Sequence, residues 1–204
     1  MTLSVAGALV ELKLLDKRIQ KAMQTGLFVY FKQGNEVLGG YKSEEEVSTK
    51  IKSSTQSVLD LIDRRNKIKA AIVVSNATTK VTVGDYEMTV AEAIERKTSI
   101  QYDKNLLSYY RTQLANTLRT IDNHNADLEN RADLMVQQYL GNDKSKATEA
   151  QTIREGFVTS KQAKLIDAID IKKQIEVLED EIDTFESEVD LALSTSNAIT
   201  QLEI

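Results

Sequence analysis

Between Leu3 and Met23 the apolar residues Val5, Ala8, Leu9, Leu12, Leu15, Ile19 and Met23 recur at spacings that gather them on one helical face. This predicts a first amphipathic helix, stopped by Gly26. The run Leu27-Phe28-Val29-Tyr30-Phe31 is β-branched and aromatic, and beyond Gly34-Asn35 it faces the weaker strand candidate Glu36-Val37-Leu38. A small hairpin over about 27–40 follows, ending at Gly39-Gly40. Ser43-Glu44-Glu45-Glu46 then has the spacing of a capping box, in which hydroxyl and carboxylate satisfy each other's backbone N–H groups. The second helix starts there. Its apolar seam of Val47, Ile51, Ser54, Val58, Leu61, Arg65, Ile68 and Ile72 steps alternately by four and three, the repeat that lets helices wind around one another.

After Ile72 the period drops to two. Thr79, Val81 and Val83 alternate with Lys80 and Thr82, and Gly84-Asp85 leads to Tyr86, Met88 and Val90. This predicts a second hairpin over about 78–90, turning on a glycine with positive φ at the first central position. Thr89-Val90-Ala91-Glu92 repeats the capping-box spacing and opens a third helix that meets no breaker until Tyr139. At about 1.5 Å per residue such a helix is roughly 75 Å long. Its later half carries the seam Leu114, Leu118, Ile121, Asn125, Leu128, Ala132, Met135 and Tyr139. Residues 141–162, rich in Lys, Thr, Ser and Asp, predict an irregular connection with a short helix near Thr148 to Arg154. A fourth helix runs from about Lys161 to Leu193 on Ile171, Ile175, Leu178, Ile182, Phe185, Val189 and Ala192, and Ser194 to Ile204 forms a polar turn and tail. The expected fold is mostly α: long antiparallel helices with coiled-coil-type packing and one or two small β-hairpins, as a single elongated helical domain spanning 1–204.

Composition reinforces this. The chain contains no proline, the residue that most often interrupts helices, and its 28% charged and 5% aromatic residues suit solvated helix faces better than a thick core. With no Cys and one His, the disulfide, thiolate and common structural-metal chemistries lack their residues, and no cofactor is expected. A net charge of −5 argues against a duplex nucleic acid partner, whose phosphates are met by Lys and Arg. No apolar run approaches the roughly 18 residues of a membrane span, and no basic n-region opens the chain. The expectation is no membrane and a cytoplasmic location, in a bacterial or phage-infected cell, or a place in a virion.

Few residues stand out as carriers of chemistry. His124 lies among Asp122, Asn123, Asn125 and Asp127, but without a second ligand it reads as a surface histidine. Asn125 occupies a seam position, where a polar side chain either sets register or oligomer state by pairing with its own copy or a neighbouring helix, or, if the seam has drifted, points to water. Leu118, Ile121 and Leu128 frame it. An acidic run from Glu176 to Asp190 reads as a solvated face complementing the basic cluster Arg64, Arg65, Lys67 and Lys69, in the same chain or another subunit. Tyr102, Tyr109 and Tyr110 beside Arg111 are spaced as interface or core residues rather than as a base-stacking platform. Neither glycine-bearing turn has the spacing of a phosphate-binding loop.

Several short stretches together resemble the septicolysin-like family of helical bacterial and phage proteins of uncharacterised function. They are Ala8-Leu9-Val10-Glu11 with Leu15-Asp16-Lys17-Arg18-Ile19, Ile62-Asp63-Arg64-Arg65-Asn66, the segment from Val83 to Lys97, Leu178 to Ile182, and Asn197-Ala198-Ile199-Thr200. The resemblance covers most of the chain, with extra sequence around Phe28 to Tyr41 and Gly141 to Lys161. It implies a short hairpin between long helices and self-association. A cysteine-free chain is not expected to carry thiol-activated lytic activity. The function expected is that of a non-enzymatic homo-oligomeric assembly protein, with another protein as a further candidate partner. The alternative is a pocket for a nucleotide or other anion built from Arg64, Arg65, Lys67, Arg96 or Arg111. Convergence of those residues on one cleft would favour the pocket, and pairing with acidic side chains would favour assembly.

Overall fold

The order of elements follows the apolar periods closely. The computed structural model describes residues 2–37, 39–141 and 144–204. Strand β1 (Thr2–Ser4) leads into α1 (Val5–Thr25), then come β2 (Lys32–Gln33), β3 (Glu36–Val37), α2 (Glu44–Thr78), β4 (Lys80–Val83), β5 (Tyr86–Thr89) and α3 (Val90–Leu140). A short 3-10 turn precedes α4 (Ala147–Lys161), and α5 (Ile171–Ile199) and β6 (Gln201–Glu203) complete the chain. The fold is mostly α, with three small antiparallel two-stranded sheets among the described residues. Two compact units divide it: Met1–Thr98 with Thr184–Ile204, and Ser99–Asp183.

In the first unit α1 packs against α2. Arg64 bonds to Glu11 and Arg65 to Asp16 within α1, whereas the Leu27 N–H, just past the end of α1, donates to Ser54, ten residues back from Arg64 along α2. The helices are antiparallel. Val5, Ala8, Leu12 and Leu15 of α1 meet Ile68 and Ile72 of α2, and Leu202 of β6 closes the cluster. The expected α2 seam is the one buried: Val47, Val58, Ile68 and Ile72 are buried, and Ile51, Ser54, Leu61 and Arg65 are half-buried.

Helix starts follow from local hydrogen bonding. Ser4 accepts from the Gly7 N–H and Ser43 from the Glu46 N–H, each satisfying a donor that the first turn leaves unpaired. At Thr89 both halves of the box form: the Glu92 N–H donates to the threonine hydroxyl, and the Thr89 N–H and hydroxyl donate to the Glu92 carboxylate. The backbone N–H and then the hydroxyl of Thr89 hold the Glu92 carboxyl below the usual carboxylate range. At Ser43 the reciprocal bond differs from expectation, since the Glu46 carboxylate accepts from the Lys42 N–H, one residue earlier.

The second hairpin has the predicted register, Lys80 opposite Thr89 and Val83 opposite Tyr86, around Gly84 with φ of 58°. A Cβ there would sit 2.8 Å from the Thr184 methyl, and the Gly84 N–H donates to Glu188, so backbone conformation and close approach both call for glycine. The first hairpin is shorter than expected. It turns at Gly34-Asn35, but its ladder pairs only Lys32 with Val37 and Gln33 with Glu36. Leu27 to Phe31 forms no strand. Its aromatic residues turn to other partners: Tyr30 stacks on Phe31 and meets Tyr41 edge-on, and both Tyr30 and Phe31 line a shallow groove with Val37, Val47 and Ile51. Leu38 lies outside the described residues.

Two further expectations are corrected. Most of the stretch expected as an irregular connection, 141–162, is the fifteen-residue helix α4, and the irregular segment is displaced to 162–170. Arg154 explains the difference, bonding to both Glu129 and Asp133 one turn apart on α3, so α4 gains tertiary anchors that its polar composition hides. The helix expected from Lys161 therefore begins at Ile171, where Asp167 accepts from the Ile171 N–H and Asp170 adopts a positive φ of 54°. The C-terminus is not a polar tail either: α5 continues to Ile199, and β6 pairs with β1, Leu3 opposite Leu202.

Candidate functional site

The residues singled out in sequence fall into two groups. Of the basic set, Arg64 pairs with Glu11 at 2.9 Å, Arg65 with Asp16 at 2.6 Å and Lys67 with Asp63 at 2.7 Å. Arg96 stands over the Phe185 ring, 5.8 Å from its centroid, and Arg111 pairs with Glu179. Each has its own partner, and the three from α2 are held by carboxylates of α1 or of α2 itself. Most are at least a third exposed, where such pairs contribute roughly 0–1 kcal/mol each.

Within one chain, three members of the acidic run of α5 meet groups other than the α2 cluster: Glu179 pairs with Arg111, Asp190 with Lys97, and Glu188 accepts from the Gly84 N–H. The reason lies in packing. Burial of the α2 seam against α1 turns Arg64 and Arg65 to the edge of that pair, within reach of Glu11 and Asp16, while α5 lies alongside α3.

The register group lies in the second unit. Leu128 is buried, Ile121 half-buried and Leu118 exposed. Asn125 bonds through both ends of its amide to one residue: its side-chain N–H donates to the Ala163 carbonyl at 3.1 Å, and its oxygen accepts from the Ala163 N–H at 2.8 Å. The adjacent His124 ring places Nε2 3.2 Å from the Lys161 carbonyl. Asn125 thus imitates the pairing of a neighbouring strand and holds the chain as it leaves α4 in extended form. The seam pattern leaves Asn125 facing a copy of itself, another helix or water; in the structure it faces backbone that no sequence period signals. Asn125→Ala removes both bonds at a half-buried position and is expected to cost about 1–3 kcal/mol. Amide exchange at Ala163 and through α4 should accelerate. Unchanged exchange at Ala163 would mean the clamp does not form in solution.

The tyrosines are not core residues. Tyr102 is 77% and Tyr109 65% exposed, and Tyr110 is half-buried. Sequence reading missed Arg154 and Glu188 as anchors, because the signal of each lies in a partner 21 or more residues away. Among the described residues no group of three or more His, Cys, Asp or Glu is placed to hold a metal ion, and no helix is long and apolar enough to cross a membrane. Compared with known protein families, with curated proteins and with solved structures, the chain matches none.

Proposed function

We propose that this chain is a non-enzymatic helical assembly protein that associates with copies of itself. In keeping with the sequence resemblance to the septicolysin-like family, we place it as a phage-encoded component acting in the bacterial cytoplasm or the virion. The observation that carries the reading is the fate of the cationic side chains. Arg64, Arg65, Lys67 and Arg111 are each engaged by a carboxylate. An anion pocket needs several guanidinium groups turned toward one cavity with donors to offer. Large apolar side chains standing exposed on helices point the same way: Val10 and Leu14 on α1, Tyr102, Leu106 and Tyr109 on α3, and Leu191 on α5. Surface of this kind marks interaction faces where it is contiguous.

Size-exclusion chromatography with light scattering on the full chain tests the proposal. A defined oligomer, with native mass spectrometry finding no retained small molecule, is the expected result. A monomer at every attainable concentration would overturn it, and a stoichiometrically retained nucleotide or other anion would replace it with the ligand-binding reading.

A further inference from the structure

Between Tyr102 and Asn116 the outward sector of α3 carries no charge. At about 100° per residue, Tyr102, Asn105, Leu106, Tyr109, Gln113 and Asn116 fall within one sector of the helix, and all are exposed. Tyr102 is 77%, Tyr109 65% and Leu106 42% exposed. In a chain with 28% charged residues, the outward sector of a helix is where charges are expected. Here the charged residues of the same stretch stand outside the sector: Arg111 is turned to Glu179, Asp103 and Lys104 are half-buried, and Arg119 lies about 100° from Tyr102, beyond the Asn105 edge.

We infer that this face is the self-association surface of the protein, pairing antiparallel with the same face of a second copy about a two-fold axis beside Leu106. The inference rests on the assembly reading and names its surface. In a two-fold contact each residue meets the face it belongs to, so any net charge on that face repels its copy. The exposed apolar face of α1 fails this requirement, because Lys13, Lys17 and Lys21 share the sector of Val10 and Leu14. The α3 face meets it. It offers tyrosines that bury large area with a polar tip, and Asn and Gln amides that both donate and accept and so pair with their own kind. With the axis beside Leu106, the antiparallel arrangement brings Tyr102 opposite Tyr109 of the second copy and the two leucines together, clustering all the apolar side chains of the face. Four tyrosines and two leucines with their polar rim bury on the order of 1,000 Å², the lower end of specific interfaces, so the dimer should be concentration-dependent.

Absence of native cysteine makes the test direct. Full-length Leu106→Cys, oxidised mildly, is expected to form a disulfide-linked dimer. Tyr102→Cys and Tyr109→Cys are expected to cross-link far better when mixed than either does alone, and Val10→Cys on α1 to form no disulfide link. In sedimentation experiments Leu106→Glu and Leu106→Lys should each be monomeric and form a mixed dimer when combined. Recovery on mixing separates loss of the interface from loss of the fold. Cross-linking of Tyr102→Cys to itself in preference to Tyr109→Cys would overturn the antiparallel arrangement. An oligomer indifferent to Leu106→Glu would overturn this surface while leaving self-assembly intact, and a wild-type monomer that no cysteine cross-links would overturn both.

Discussion

Ile68→Ala will lower the unfolding free energy by about 2–5 kcal/mol, the range for removing a large aliphatic side chain from a packed site that cannot fully collapse. Ile68 is completely buried at the centre of the cluster that joins α1, α2 and β6. Its neighbours Ala8, Leu12 and Leu15 are set along one face of α1 and are themselves buried, so the gap can close only by shifting the whole helix, and much of the cavity persists. Thermal and urea unfolding followed by circular dichroism will measure the effect, at roughly 2–4 °C for each kcal/mol in a chain of this size. Ile68→Val should cost only about 0.5–1.5 kcal/mol. An alanine effect no larger than the valine effect would show that Ile68 is not enclosed as described.

Leu128→Ala is the counterpart in the second unit, with an expected cost of about 2–5 kcal/mol. Leu128 is 2% exposed, and Ala132 one turn later and Ala150 on α4 are also buried. Alanines let helices approach closely, which leaves a large side chain beside them little room to be replaced by rearrangement. Arg154 reaches Glu129 from α4, beside Leu128 in the chain, so the cavity should also loosen that anchor. Amide exchange is the informative readout: protection should fall first through α4 and the adjoining part of α3. A loss below about 1 kcal/mol with α4 protection unchanged would mean that Leu128 does not hold α4 in place.

These two positions also illustrate what was legible beforehand. Ile68 and Leu128 were both seam residues, because a period near 3.5 over seven or more turns is set by few residue types and survives a polar background. The caps at Ser43 and Thr89 and the glycine turn at Gly84 were legible for a similar reason: each is a local hydrogen-bonding or φ requirement satisfied within four residues. Asn125 was conspicuous on the same grounds, as a polar interruption of a seam, yet its partner was not. Ala163 is 38 residues away and offers only backbone, which has no signature in composition.

What the sequence by itself determined, then, is the set of long helices, their buried faces and one hairpin, all consequences of periodicity and short-range chemistry. Tertiary structure decided the rest. It made α4 a helix through Arg154 and its two carboxylates, and it turned the last residues into a strand by bringing Leu202 beside Leu3 and onto the α1–α2 core. It also set Glu179 and Asp190 of α5 against Arg111 and Lys97 of α3. In each case the stabilising partner is distant along the chain. A polar helix or a three-residue strand is marginal until a neighbour supplies what its own sequence lacks.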